Sequence, residues 1–208
     1  MAKRSKSSDQ WLRRQRKDPF AKKARDQGQV SRAHFKLEEL DQRFALLKPG
    51  QRVLELGAAP GGWTAYIEEK IKNGHLIVCD DRPVTHGANT VWVEGRYGEP
   101  AADAEIEQLC AVAPLDVVLS DMAPNMSGIK VADQARAMEL AEFAEEAALR
   151  YLQPQGALVV KVFNGSGVDT WLAGLRAHFG KVRLIKPKAS RSESREVYAV
   201  AQQFNGVS

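Results

Sequence analysis

Between residues 31 and 50 the apolar positions Ala33, Leu37, Leu40, Phe44 and Leu47 recur at helical spacing. Ser31 stands ahead of that stripe as a cap and "KPG" stops it, so the stretch predicts a helix. Beyond it the pattern switches to short apolar runs separated by longer amphipathic ones. The runs "QRVLELG" (51–57), "HLIVCD" (75–80), "TVWVEG" (90–95), "LDVVLSD" (115–121) and "GALVVKVF" (156–163) predict five strands. Helices are predicted over about 61–72, 101–113, 131–152 and 168–179. The last two runs, "KVRLIKP" (181–187) and "REVYAVA" (195–201), predict strands joined by "KASRSES", which is too short for a crossover helix, so these two pair antiparallel. Strands alternating with helices predict an α/β fold: a mostly parallel sheet, an antiparallel last strand and helices on both faces. Residues 1–30 show little apolar periodicity and predict an arm ahead of a domain over 31–208.

Charge sharpens that division. Residues 1–36 hold 12 Lys and Arg against 3 Asp, residues 37–180 hold 12 basic against 21 acidic side chains, and residues 181–208 hold 6 basic against 2 acidic. An acidic body with a basic segment at each end points to a polyanionic partner, nucleic acid before membrane. The arm and the loop 186–195 are the expected contacts. The 44% hydrophobic content suits a domain with a real core. No run has the roughly 20 apolar residues of a membrane span, and the basic start has no apolar centre like that of a secretory signal. Cys79 and Cys110 lie far apart in apolar segments and suggest reduced thiols, hence a cytoplasmic protein. No His/Cys cluster suggests a metal.

In open α/β sheets ligands bind beyond the carboxyl ends of the strands. The first strand leads into "LELGAAPGGW" (54–63), where Gly57, Gly61 and Gly62 allow a tight turn and close backbone approach. The spacing is not that of a pyrophosphate loop, and Glu55 suits a cationic group. Asp80 ends the second strand 23 residues after Gly57, where such folds hold a ribose. A nucleoside with a cationic centre, a carboxylate and no phosphate describes S-adenosylmethionine. Asp121 ends the fourth strand in "SDMAPNMSG", and Lys161 interrupts the apolar fifth strand "VVKVF". Neighbouring parallel strands bring these two together. A lysine in an apolar run needs carboxylates, and Asp121 and Glu196, in "SREVY", supply them. Taken singly, Lys36 and Glu196 also fit ordinary surface pairing.

"SDMAPNMSG", "VVKVF", "SREVY", the glycine loop and "SRAHFKLEEL" together resemble the FtsJ family of ribosomal RNA 2′-O-methyltransferases over about residues 4–201. The resemblance implies a Rossmann-like fold with a seven-stranded sheet. It also implies a catalytic set at Lys36, Asp121, Lys161 and Glu196, with cofactor contacts at Gly61, Trp63, Asp80 and Asp121. It implies methylation of a uridine ribose in the A loop of 23S ribosomal RNA, with the large ribosomal subunit as partner. A transfer RNA or messenger-cap enzyme of the same fold, or a non-catalytic assembly factor, would share the scaffold. Lys161 would serve as general base, or as a charged group stabilising an alkoxide. One departure stands out. "EGRYGE" places Arg96 where the family has an acidic residue near the adenine, and a guanidinium has no acceptor.

Overall fold

The computed structural model describes residues 18–206. Helix α1 (Pro19–Asp26) comes first, then α2 (His34–Phe44). Strands and helices then alternate: β1 (Arg52–Leu56), α3 (Gly62–Ile71), β2 (His75–Asp80), β3 (Thr90–Glu94), α4 (Pro100–Ala111), β4 (Leu115–Ser120), α5 (Lys130–Tyr151), β5 (Leu152–Phe163) and α6 (Val168–His178). Strands β6 (Phe179–Ile185) and β7 (Glu196–Phe204) follow. They form one seven-stranded sheet in the order β3-β2-β1-β4-β5-β7-β6. Only β7 runs against its neighbours, pairing antiparallel with both β5 and β6. The strand order turns back between β1 and β4, so the ligand crevice is expected above their carboxyl ends.

The period of two along each strand sorts side chains between two cores. On β5, Leu158, Val160 and Val162 enter a core with Ala141, Ala144 and Ala148 of α5 and Leu172 and Leu175 of α6. Ala157 and Val159 enter the opposite core with Leu37 and Leu40 of α2 and Trp63, Ile67 and Ile71 of α3. Lys161 continues that second set. On β7, Tyr198 and Val200 share the α2 side, and Glu196 is in phase with them. Sheet phase alone therefore turns Lys161, Tyr198 and Glu196 toward the helix that carries Lys36.

Two local features differ from the sequence pattern. Ser31 does not cap α2; its Oγ accepts from Ala33 N–H at 3.2 Å in the preceding turn, and the helix begins at His34. Helix α1 falls inside the stretch expected as an arm. Asp18 caps it, accepting from the N–H groups of Phe20 (3.0 Å) and Ala21 (3.2 Å), and Pro19 fits the first turn. Ala24 of α1 is buried with Phe35 and Ala189. Asp18 also binds the guanidinium groups of Arg32 and Arg191, which ties α1 to the loop before β7. The first 17 residues of the expected arm lie outside the described residues.

Candidate active site

A cleft of about 910 Å³ opens above the carboxyl ends of the strands, lined in part by Gly57, Asp80, Gly95, Asp121, Met122 and Lys161. Gly57 has φ +76°, and a Cβ there would lie 2.9 Å from the Met122 backbone, so only glycine lets this turn pass beneath the loop after β4. Asp80 is buried and fixed at both oxygens: Oδ2 accepts from Ala59 N–H at 2.9 Å and Oδ1 from Arg82 N–H at 2.9 Å. Gly61 and Trp63 are not among the lining residues. Gly61 has φ +106° at the head of α3, and a Cβ there would meet Thr85 O at 2.6 Å. Trp63 is buried beneath, its Nε1–H donating to Ala33 O at 2.9 Å and its ring 5.7 Å from that of Tyr198.

At the other end of the cleft, charges assemble under cover. Lys161 Nζ lies 3.2 Å from Asp121 Oδ1 and also donates to the Asp121 carbonyl. Tyr198 donates its hydroxyl to Asp121 Oδ1 at 2.7 Å and accepts from Lys36 Nζ at 3.3 Å. Lys36 pairs with Glu196 Oε1 at 2.7 Å, which also accepts from Ser190 Oγ at 2.8 Å. The four residues expected to be catalytic thus form one continuous net. Burial alone would raise the Asp121 carboxyl. The ammonium groups of Lys161 and Lys36, with the bonds from Tyr198 and Lys161, outweigh it and hold Asp121 below its ordinary value. Burial, the nearby Asp121 and Glu196 charges, and the bond to Asp121 push the Tyr198 phenol well above its own, so it stays a neutral donor.

Glu55 does not suit a cationic ligand. It shares the face of Val53, beneath α3, where it is 1% exposed and accepts from Thr64 Oγ1 at 2.7 Å. Burial pushes its carboxyl up to about 8, against the opposing bond from Thr64, so it is mostly neutral at pH 7. The basic loop is also more self-engaged than its composition implies. Lys186 Nζ donates to the carbonyls of Ser192 (3.0 Å) and Ser194 (2.7 Å), and Arg191 turns to Asp18.

Against known proteins, the FtsJ-like methyltransferase family profile matches residues 29–204. A Xanthomonas oryzae protein named ribosomal RNA large subunit methyltransferase E is 45% identical over 203 residues, covering 97% of each chain. Proteins of the same name from Legionella pneumophila (45%, covering 97% of this chain and 98% of that one) and Coxiella burnetii (41%, covering 96% of each) are similar over the same extent. The chain belongs to the FtsJ-like methyltransferase family. A solved ribosomal RNA methyltransferase of Plasmodium falciparum superposes on this FtsJ-like chain with a TM-score of 0.76 at 29% identity, covering 85% of this chain and 99% of that one.

In this FtsJ-like methyltransferase the residue that the sequence pattern missed is Tyr198. It sits opposite Lys161 in the β5–β7 register and joins the Lys161–Asp121 half of the net to the Lys36–Glu196 half. Its signal was its place two residues after Glu196, on the same face of the strand. Among the described residues no group of three or more His, Cys, Asp or Glu side chains is placed to hold a metal ion. No described helix is long and apolar enough to cross a membrane.

Proposed function

We propose that the chain transfers the methyl group of S-adenosylmethionine to a ribose 2′-hydroxyl of ribosomal RNA, on a uridine of the 23S A loop in the large subunit. The observation that carries this reading is the buried Lys161–Asp121–Tyr198–Lys36–Glu196 net at one end of the glycine-walled cleft. The cleft suits the cofactor. Asp80 is held at both oxygens at the carboxyl end of β2, where such folds bind a ribose, Gly57 and Gly95 line the wall without side chains, and the volume admits a nucleoside.

Bound there, S-adenosylmethionine supplies an electrophilic methyl group on a sulfonium. The chain supplies alignment and charge. Asp121, ionised and fixed by Tyr198, holds Lys161 Nζ at the cleft wall, beside the place for the acceptor oxygen. Unprotonated, that nitrogen takes the hydroxyl proton as the oxygen attacks; as an ammonium it stabilises the developing alkoxide. Lys36 and Glu196, paired directly and joined to Asp121 through Tyr198, orient the ribose. Positioning of this kind lowers a barrier by several kcal/mol. Residues of the arm and of the loop 186–195 contact the RNA backbone.

The direct test incubates the protein with methyl-labelled S-adenosylmethionine and large subunits lacking the modification, then maps the labelled nucleotide. Label on a single 23S uridine 2′-oxygen is the expected result. Label on transfer RNA or a cap instead overturns the substrate assignment, and no transfer to any RNA leaves an assembly factor.

A further inference from the structure

The end of the cleft away from Lys161 is framed by the loops after β2 and β3. Asp80, the ribose-binding carboxylate, closes β2, so the base of a bound nucleoside lies beyond it, against Asp81 and the turn Gly95–Tyr97. An adenine offers its 6-amino hydrogens there and needs an acceptor. Arg96, which occupies the position after Gly95, has only donors. Yet it does not stand alone. Its Nε (2.7 Å) and Nη2 (2.5 Å) both bind the same oxygen, Oδ2 of Asp81. The other oxygen, Oδ1, has Arg82 Nε at 3.8 Å, beyond hydrogen-bond reach. The guanidinium thus fixes the carboxylate through Oδ2 and leaves Oδ1 without an N–H donor at the cleft wall, beside the Arg82 guanidinium and the Asp80 carboxyl. Arg96 is 63% exposed and Asp81 37%, and a pair that open contributes little to folding. Arg96 also holds the Asp81 carboxyl below its ordinary value, so the acceptor stays ionised.

We infer that Asp81 Oδ1 accepts the adenine 6-amino group in this chain, and that Arg96 is the positioning residue that aims it. The inference rests on the S-adenosylmethionine reading above. It makes base specificity a property of residue 81: a carboxylate there accepts from adenine and repels the 6-carbonyl of hypoxanthine.

Calorimetry on the full chain tests this with two probes, S-adenosylhomocysteine and its deaminated analogue S-inosylhomocysteine. The wild-type chain is expected to prefer the adenosyl compound by about tenfold or more, a discount for exposure from the larger penalties of buried polar mismatches. Asp81→Asn reverses or abolishes the preference. Its amide oxygen takes the Arg96 bond and its NH₂ then faces the base as a donor. Arg96→Ala lowers adenosyl affinity by a smaller factor, about threefold, because Asp81 loses its fixed orientation. Melting temperatures of both variants should match the wild type. Adenosyl binding by wild type with an unchanged preference in Asp81→Asn overturns this inference and leaves the proposed function standing. A wild-type chain that binds neither compound overturns both.

Discussion

The two ends of the cleft use charge in opposite ways. At the β4–β5–β7 end the side chains of Lys161 and Asp121 are 7% and 18% exposed, and each charge has a named partner. At the β2–β3 end the side chains of Arg82 and Arg96 are 68% and 63% exposed. Two unit charges 4 Å apart interact by about 1 kcal/mol in water and about 4 kcal/mol in the effective medium near a protein surface. Removing one member of the covered net therefore strands the others, whereas exchange at the open end costs little stability.

The largest effect expected is on Lys161. Lys161→Ala should fold and bind S-adenosylhomocysteine near normally, with single-turnover methylation of undermethylated subunits slowed at least about 10²-fold. Lys161→Arg should not rescue it, because a planar guanidinium does not replace an ammonium. A wild-type rate in the alanine variant would return Lys161 to a packing role. Asp121→Ala should be comparably slow, and Lys36→Ala and Glu196→Ala less so. Tyr198→Phe should lose about tenfold in the same assay, the effect of one hydrogen bond to a buried charge, with cofactor affinity retained. An unchanged rate would show that the two halves of the net work apart.

A smaller effect is expected beneath the sheet. The Glu55 carboxyl is raised from 4.5 to about 8 on folding. The folded chain therefore binds the extra proton, so this group's contribution to stability is greatest below about pH 4.5 and falls as pH rises toward about 8, by at most about 1.4 kcal/mol per pH unit. Glu55→Gln keeps a neutral partner for Thr64 and should flatten that slope. Denaturant unfolding from pH 5 to 8 decides it; parallel curves for variant and wild type would sink the assignment. The smallest effect compares charge outside the net. Deleting residues 1–17, which stops short of the Asp18 cap, should weaken binding to large subunits. It should also flatten the log–log salt dependence of that binding by about 0.7–0.9 for each phosphate the arm had neutralised, without changing cofactor affinity. An unchanged salt slope would remove the arm from the interface.

Much of this arrangement was legible in residue order because strand ends carry their own punctuation. Gly57, Asp80 and Asp121 each close an apolar run, and Lys161 is conspicuous within one. What escaped depended on facts a linear pattern hides. Tyr198 in "REVYAVA" looks like a core aromatic until the β5–β7 register sets it opposite Lys161. Glu55 looks like a cleft carboxylate, but it is in phase with Val53 and so lies beneath α3 rather than above the strands. Helix α1 has only Phe20 and Ala24 for an apolar stripe, too short to read as a helix, and the Asp18–Pro19 pair marked its start. Asp81 was overshadowed by Asp80, and its role follows only from the reach of Arg96 across 15 residues.

The Lys36–Tyr198 bond spans 162 positions of the chain. The glycine turn, Asp80 and Arg96 all precede Lys161 and β7 along the chain. Lys36 meets its partners only once β7 is in the sheet. Because β7 runs antiparallel to β5, its register sets Glu196 beside Phe163 and Tyr198 beside Lys161. A nascent or prematurely terminated chain that stops before residue 196 would carry the groups of the nucleoside half without the completed methyl-transfer net. Activity would then require β7: the strand that bridges β5 and β6 in the sheet also joins the two halves of the net.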